Sequence, residues 1–174
     1  LGTSIKNEGF MQKITLILYK LGLKNAKCVF FQNEPNRQFF IDKGIINNNS
    51  KVIPGSGVNL EQHCFEEYPD DKENIRLLFI GRIMKAKGID ELLEAAKQMI
   101  ESNKKVEFHL VGFCEEGYSE KLRYLNDSGI IHYHGKQDDI HKFIKNSHAT
   151  ILPSYHEGTS NVLLESASTG RPIL

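Results

Sequence analysis

Apolar and polar positions divide the first third of the chain into segments of helix or strand length. The pattern predicts helices over residues 10–23 and 34–43 and short strands over residues 26–31 and 51–53. The second helix carries further signals, because Asn33 is a suitable cap, Pro35 lies in the first turn and Gly44 ends the pattern. Residues 55–71 then lose this periodicity and are rich in Gly, Ser, Asn, Pro and acidic residues, which predicts a linker between two units.

The rest of the chain alternates strands with helices. Strands are predicted over 75–80, 106–111, 130–133 and 149–152, helices over 89–102, 118–127, 138–146 and 160–168, and a further strand from residue 171. This alternation is typical of βα units around a mostly parallel sheet, and the short, continuously apolar strands indicate a sheet covered on both faces. The predicted fold class is therefore α/β.

Composition is that of an ordinary globular protein. Of the 174 residues, 40% are apolar and 25% are charged, which excludes a disordered or collagen-like chain. The 22 basic residues balance 22 acidic ones, so the sequence does not predict a nucleic-acid-binding protein. No apolar run approaches the ~18 residues of a membrane span. The chain starts at Leu1 without a signal peptide and ends in an apolar run, so we expect a piece of a longer protein.

Neither the cysteines nor the histidines predict a cross-link or a metal centre. Cys28, Cys64 and Cys114 are widely spaced and include no Cys-x-x-Cys pair, which fits free thiols in a reducing cytoplasm. His132 and His134 share one face of a predicted strand, but no further ligand lies near them in the sequence. We therefore expect no metal.

A cationic loop is the first candidate for ligand binding. In open α/β sheets ligands bind beyond the carboxyl ends of the strands, and residues 81–88 follow a predicted strand directly. This loop brings Arg82, Lys85 and Lys87 together, and such groups suit a phosphate or diphosphate. It is neither a Walker loop nor the dinucleotide-binding fingerprint. The alternative is a solvent-exposed basic loop before a helix.

An acidic segment is the second candidate. Glu157 follows a predicted strand, and residues 158–160 would form the mouth of a helix, where unpaired N–H groups and the helix dipole favour an anion. Glu165 comes eight residues later, which on a continuous helix returns to nearly the same face about 12 Å along the axis. Two carboxylates flanking an anion site suit a nucleoside diphosphate sugar. The alternative is that Glu165 is a half-exposed helix residue and Glu157 a partner of the helix dipole.

These two motifs together resemble a known family. Gly81-Arg82 with Lys87, followed by Glu157 and Glu165, reads G-R-x4-K and then E-x7-E, which is similar to group 1 glycosyltransferases of the GT-B fold (family 4). The resemblance extends over segments 29–41, 50–62, 75–96 and 148–174, and thus most of the chain. Residues 1–20 further resemble members that build bacterial capsular or other surface polysaccharides.

The resemblance implies a GT-B-type Rossmann-like parallel sheet with flanking helices, incomplete at both ends. Residues 1–54 would be the C-terminal part of the acceptor domain, residues 55–71 the interdomain linker, and residues 72–174 most of the donor-binding domain.

It also implies roles for individual residues. Arg82 and Lys87 would neutralise the donor diphosphate, Glu157 would contact the transferred sugar as the catalytic residue, and Glu165 would hold the ribose hydroxyls. Further contacts to the sugar or phosphates would come from Gly81, Gly158, Thr159, Ser160 and Asn161, and contacts to the base from Lys136 and Gln137.

The implied activity is a retaining transfer from a nucleoside-diphosphate sugar to a glycan or polyprenyl-linked acceptor in polysaccharide biosynthesis. Neither a metal nor a cofactor is expected, because the cations and the helix dipole would stabilise the leaving diphosphate. We expect a cytoplasmic location, and the basic amphipathic stretch at residues 10–24 could contact the inner membrane face. The alternative for that stretch is an acceptor-domain helix packed on its sheet.

Other functions remain open. A GT-B-fold sugar-nucleotide epimerase or phosphorylase would use a similar donor site, and a non-catalytic nucleotide-sugar-binding module would use the same residues without transfer. We expect this chain by itself to bind the donor without completing the reaction.

Overall fold

A computed structural model describes residues 9–47, 49–70, 74–102, 104–155 and 157–174. The chain divides into two compact units, Leu1–Ser56 and Gly57–Leu174. The boundary falls inside the predicted linker, so that residues 57–70 belong to the second unit. Residues 1–8, which contributed to the resemblance to polysaccharide-building enzymes, lie outside the described residues. The assignment of the two units to acceptor and donor domains stays a prediction.

The described part of the first unit contains α1 (Phe10–Leu23), β1 (Val29–Phe31), α2 (Glu34–Asp42) and β2 (Ser50–Val52), with β1 and β2 paired in parallel. As predicted, Asn33 caps α2, because its side-chain oxygen accepts a hydrogen bond from the backbone N–H of Asn36 at 2.9 Å. Phe40 lies in the small core of this unit, with its ring edge-on to Tyr19 and Phe31.

Helix α1 leaves much of its apolar surface exposed. None of its residues is buried. Leu16 and Leu23 pack against the core of the first unit, whereas Phe10, Leu18 and Leu21 are exposed. Among the described residues, no helix is both long enough and apolar enough to cross a membrane.

The second unit is built around a four-stranded parallel sheet. Its strands are β3 (Ile75–Ile80), β4 (Val106–Val111), β5 (His132–Tyr133) and β6 (Ala149–Thr150), in the order β5-β4-β3-β6. Its helices are α3 (Ile89–Glu101), α4 (Ser119–Asp127), α5 (His141–Lys145) and α6 (Asn161–Ser168), with short 3-10 turns at Lys85–Lys87 and Glu116–Tyr118. The predicted α/β class with a parallel sheet is confirmed.

Apolar residues cover both faces of this sheet. Successive side chains of a strand point to opposite faces, so Phe79 joins a core that includes Leu93 of α3 and Leu122 of α4, whereas Leu78 packs with Ile144 of α5. Each of these residues is almost completely buried. The continuous apolar run of β3 is the consequence of this two-sided burial.

Some elements are shorter than the pattern predicts. Helix α5 covers only part of the predicted stretch 138–146. It begins at His141 with Ile140 at the cap position, and the Asp139 carboxylate before it accepts a hydrogen bond from the backbone N–H of Lys142 at 3.4 Å. Strands β5 and β6 pair over two residues each. The expected strand after residue 171 is present only as a bridge between Thr150 and Ile173. Cys28, Cys64 and Cys114 are free thiols.

Arg171 fastens residues 57–70 to the second unit. This residue is 3% exposed. Its guanidinium donates hydrogen bonds to the backbone carbonyls of Glu66 (3.1 Å), Glu67 (2.7 Å) and Lys145 (3.0 Å). A buried guanidinium whose donors are satisfied in this way fixes the backbone around it. Residues 57–70, most of the predicted linker, are therefore held on the second unit.

Candidate functional site

The two loops predicted to bind a ligand lie side by side. The backbone N–H of Tyr155, in the segment after β6, donates a hydrogen bond to the carbonyl of Ala86, in the loop after β3, at 3.2 Å. Gly88 permits this approach, because a Cβ atom at this position would lie 2.1 Å from the carbonyl oxygen of Pro153 and its φ is +67°. The cationic loop and the acidic segment therefore meet at the carboxyl edge of the sheet.

Lys87 and Glu157, one from each loop, form a salt bridge. Their side chains are 22% and 27% exposed, respectively, so solvent screens this pair less than it screens a surface pair. Lys87 belongs to the 3-10 turn Lys85–Lys87, which ends at Gly88. Lys87, predicted to bind a diphosphate, and Glu157, predicted to contact a sugar, are therefore in direct contact.

Gly81 and Arg82 follow β3 directly. The N–H of Gly81 donates to the carbonyl of Val111 at 2.9 Å and continues the pairing of β3 with β4, and Arg82 is exposed. Gly112 lies at the corresponding end of β4 with a φ of +146°, and a Cβ atom there would lie 1.9 Å from the carbonyl oxygen of Gly81. The backbones of the two strand ends therefore pass closely at the edge where Arg82 leaves the sheet.

The mouth of α6 lies immediately after the acidic segment. The helix begins at Asn161, and Ser160 takes the cap position in an extended conformation without a side-chain hydrogen bond to the first turn. Gly158 is exposed, and Thr159 and Ser160 are partly exposed. A helix start without a side-chain cap leaves backbone N–H groups available to an anion.

Glu165 lies within α6, whereas Glu157 precedes the helix. The prediction that both carboxylates project from one helix face is wrong, because residues 157–160 are not helical and a spacing of eight then fixes no common direction. The Glu165 side chain is 19% exposed. Its Oε2 atom is buried and has no hydrogen-bond partner in the described part of the chain. Such an oxygen is an acceptor that a ligand hydroxyl would satisfy.

His63 is a neighbour of Glu165 that the sequence did not reveal. Its Nε2 lies 3.9 Å from Oε1 of Glu165, and its side chain is only 6% exposed. An Asn59 turn directs it inward, since Asn59 Oδ1 accepts from the N–H of Glu61 (3.0 Å) and the Asn59 carbonyl accepts from the N–H of His63 (2.9 Å). The signal available in the sequence was Asn59, a residue that favours turns. Because residues 55–71 were predicted to be a linker, no inward-pointing side chain was expected there.

Lys136 and Gln137 lie after the end of β5, two strands away from β3. Gln137 Nε2 donates to the backbone carbonyl of His134 at 2.7 Å, and Lys136 is exposed. The carbonyl of Gly135 accepts from the N–H of Gly112 at 2.8 Å, so this loop is fixed to the end of β4. The predicted contact of Lys136 and Gln137 with a base stays a prediction.

The second unit matches a known protein family. The family model for glycosyl transferases group 1 matches residues 74–174, which include both loops and α6. The chain belongs to the group 1 glycosyltransferase family. The resemblance seen in the sequence is thereby confirmed, and the matched region is the sheet-based part of the second unit from β3 onward.

Two curated relatives of this group 1 chain act on lipid-linked sugars, by their names. The N,N'-diacetylbacillosaminyl-diphospho-undecaprenol alpha-1,3-N-acetylgalactosaminyltransferase of Campylobacter jejuni is 33% identical and aligns with the whole chain and 50% of its own length. The UDP-Gal:alpha-D-GlcNAc-diphosphoundecaprenol alpha-1,3-galactosyltransferase of Escherichia coli is 30% identical, over 96% of this chain and 48% of its own length. The chain therefore spans about half the length of these relatives.

A solved structure shows the same fold. Alr3699/HepE of Anabaena, crystallised with UDP, superimposes with a TM-score of 0.74 over 98% of this chain and 50% of its own, at 18% sequence identity. The predicted GT-B fold is confirmed.

Proposed function

We propose that this chain supplies the donor site of a retaining glycosyltransferase. The whole enzyme would move a sugar from a nucleoside-diphosphate sugar to a lipid-linked glycan acceptor. The observation that carries the proposal is the half-buried Lys87–Glu157 pair next to the mouth of α6, where an exchangeable cation, a carboxylate and a helix start occur together.

The donor diphosphate is the proposed partner of Lys87. Without a ligand, one carboxylate neutralises this ammonium group. A diphosphate carries more negative charge than one carboxylate, and Arg82 can add a bidentate contact. The N–H groups at the start of α6 would bind a further phosphate oxygen. As the sugar leaves, charge develops on the diphosphate, and these same groups would stabilise it. The proposal requires neither a metal nor a cofactor.

Glu157 would then bind the sugar. Once the diphosphate holds Lys87, the Glu157 carboxylate can accept hydrogen bonds from sugar hydroxyls. Gly158, Thr159, Ser160 and Asn161 follow it along the chain and would line the same place. In this proposal Glu157 supports the sugar during transfer with retention.

The nucleoside would lie at Glu165. A buried carboxylate oxygen without a partner suits a ribose hydroxyl, and His63 beside it would fix the direction of the carboxylate. Lys136 and Gln137 would approach the base. We propose UDP as the nucleotide because the Escherichia coli relative is named for UDP-Gal and HepE was crystallised with UDP.

A membrane-bound acceptor is the second part of the proposal. Both curated relatives described above are named for undecaprenol-linked sugars. Helix α1 exposes Phe10, Leu18 and Leu21 and carries Lys13 and Lys20, a combination that suits the surface of an anionic membrane. We propose peripheral contact at the inner membrane face. Flotation with vesicles that contain anionic lipid should carry the chain upward, and L18E/L21E should abolish this.

Calorimetric titration with UDP tests the donor site. We expect K87A to weaken UDP binding about tenfold or more, because a hydrogen bond to a charged group contributes about 1.5–3 kcal/mol. K85A is the matched control, since Lys85 is an exposed lysine of the same 3-10 turn, and it should change the affinity much less. If K87A and K85A lost the same affinity for UDP, the effect would come from the net positive charge of the loop. That result would contradict the specific role of Lys87.

A further inference from the structure

A cluster of metal-binding side chains lies at the edge of the sheet in the second unit. Glu107 and His109 are two residues apart on β4, so their side chains share a face. His132 on β5 is the direct register partner of His109. The parallel pairing of the two strands therefore collects three potential ligands that the sequence separates by up to 25 residues. The sequence alone did not predict this cluster, because Glu107 and His109 lie far from His132 along the chain.

The distances within this cluster suit a small cation. Oε2 of Glu107 lies 3.3 Å from Nε2 of His109. The three residues can each present one ligand atom such that all lie within 4.8 Å of one another. In a tetrahedral zinc site with bonds of about 2.1 Å, two ligand atoms are about 3.4 Å apart. The Glu107–His109 distance of 3.3 Å is close to this value.

Two neighbours hold the ligands in place. Asn74 Nδ2 donates to Oε1 of Glu107 at 2.9 Å, which leaves Oε2 directed toward His109. On the other side of the imidazole, Nδ1 of His109 lies 2.9 Å from Nε2 of His134. In a metal-bound state His109 would carry its proton on Nδ1 and donate it to His134, and Nε2 would keep its lone pair for the metal. Partners of this kind orient metal ligands in known metal sites.

One side of the cluster faces solvent. His132 is exposed, which leaves the cluster open to solvent and to an incoming ion.

We propose that Glu107, His109 and His132 bind a divalent transition-metal ion, and zinc is a suitable ion because it accepts two imidazoles and one carboxylate. The fourth position would hold water. None of these residues belongs to the proposed donor site, so the ion would have no part in the transfer. It would join the two-residue edge strand β5 to β4 and strengthen that side of the sheet.

Zinc titration of the chelator-treated 174-residue chain tests this. We expect one Zn²⁺ per chain, a higher melting temperature with Zn²⁺, and at least a tenfold loss of affinity in H132A and in E107Q. His132 is exposed, so H132A should fold, and unchanged UDP binding would verify this. Wild-type chain that binds no Zn²⁺, or H132A that binds it as wild type does, would overturn the proposal.

A second group of residues provides the matched control. Cys64, Glu66 and His141 can also bring three ligand atoms within 4.8 Å. H141A should bind Zn²⁺ as wild type does, and Co²⁺ in place of Zn²⁺ should show no thiolate charge-transfer band, because the proposed site contains no cysteine. Loss of binding in H141A, or a thiolate band, would assign the ion to the Cys64 group and contradict the proposal.

Discussion

Lys87 and Glu157 neutralise each other across two loops that follow different strands of one sheet. The cation assigned to a diphosphate and the carboxylate assigned to a sugar are therefore alternative partners in the ligand-free chain. In our proposal, donor binding breaks the Lys87–Glu157 ion pair. Lys87 then binds the diphosphate and Glu157 binds the sugar. This exchange gives Glu157 and Lys87 opposite effects on nucleotide affinity.

The Glu157→Gln substitution should tighten UDP binding. Without its carboxylate partner, Lys87 no longer has to leave an ion pair before it meets the diphosphate. We expect a gain of two- to fivefold in calorimetric titration, about 0.4–1 kcal/mol, the usual range for a partly exposed pair. A loss of UDP affinity as large as that of K87A would contradict the exchange.

The ribose prediction uses a pair of ligands. Wild-type chain should bind UDP at least tenfold more tightly than 2′,3′-dideoxy-UDP, because the Oε2 atom of Glu165 accepts from a ribose hydroxyl and is otherwise buried without a partner among the described residues. E165Q should reduce this preference to less than threefold, and H63F should reduce it partly. An unchanged preference in E165Q would remove Glu165 from the ribose site.

Gly88 should be required for both stability and binding. An alanine there would place Cβ 2.1 Å from the carbonyl oxygen of Pro153 at a φ of +67°. G129A is the matched control, because Gly129 has a φ of +72° and no atom within 4 Å of a built Cβ. The control should lose about 1–2 kcal/mol of unfolding free energy, the cost of a left-handed residue. G88A should lose clearly more and also lose UDP binding.

Urea unfolding of the two glycine variants decides this point. Equal losses of stability in G88A and G129A would mean that the loops can separate without cost. The close approach of the cationic loop to the acidic segment would then have no structural importance.

Asp90 should contribute a pH-dependent part of the stability. Hydrogen bonds from Lys121 (3.0 Å) and Tyr118 (2.9 Å) lower its pKa below the ordinary 3.8, while burial and Asp90 raise the pKa of Tyr118 to about 12. A carboxyl group with a lowered pKa in the folded state stabilises the fold above its unfolded-state pKa, and this contribution is lost as the pH falls through the folded-state pKa.

We therefore expect D90N to be less stable than wild type at pH 7. Asp90 is 41% exposed, so the difference should stay below about 1 kcal/mol. It should shrink as the pH falls below about 4. Thermal unfolding of both proteins across this range measures it, and a difference that is constant down to pH 2.5 would contradict the assignment.

The sequence predicted the family and the bounds of several elements, and it predicted less of the site. The bounds of α1, β3 and β4 were predicted fully, because each carries a strong apolar period or run. The common helix face of Glu157 and Glu165 was wrong, because a spacing in sequence has a direction only if the helix continues through it. The apolar pattern predicted a helix over residues 160–168, and Glu157 lies outside both that stretch and the observed helix.

Residues from distant segments were also missed. His63 reaches Glu165 because residues 57–70 pack on the second unit, where Arg171 binds two of their backbone carbonyls. His109 meets His132 because β4 and β5 pair in one register. Both contacts depend on tertiary pairing, which the apolar pattern does not specify. The His63–Glu165 contact places a histidine beside the proposed ribose site. The His109–His132 contact adds the third ligand to the proposed metal site.

The most direct test of the donor site is a calorimetric titration of UDP into wild type and the R82A/K87A double variant. If Arg82 and Lys87 bind the diphosphate, the double variant should lose at least about 100-fold in affinity, as two hydrogen bonds between charged groups are removed. Circular dichroism should show an unchanged fold. Equal affinity of the two proteins for UDP would contradict the central claim.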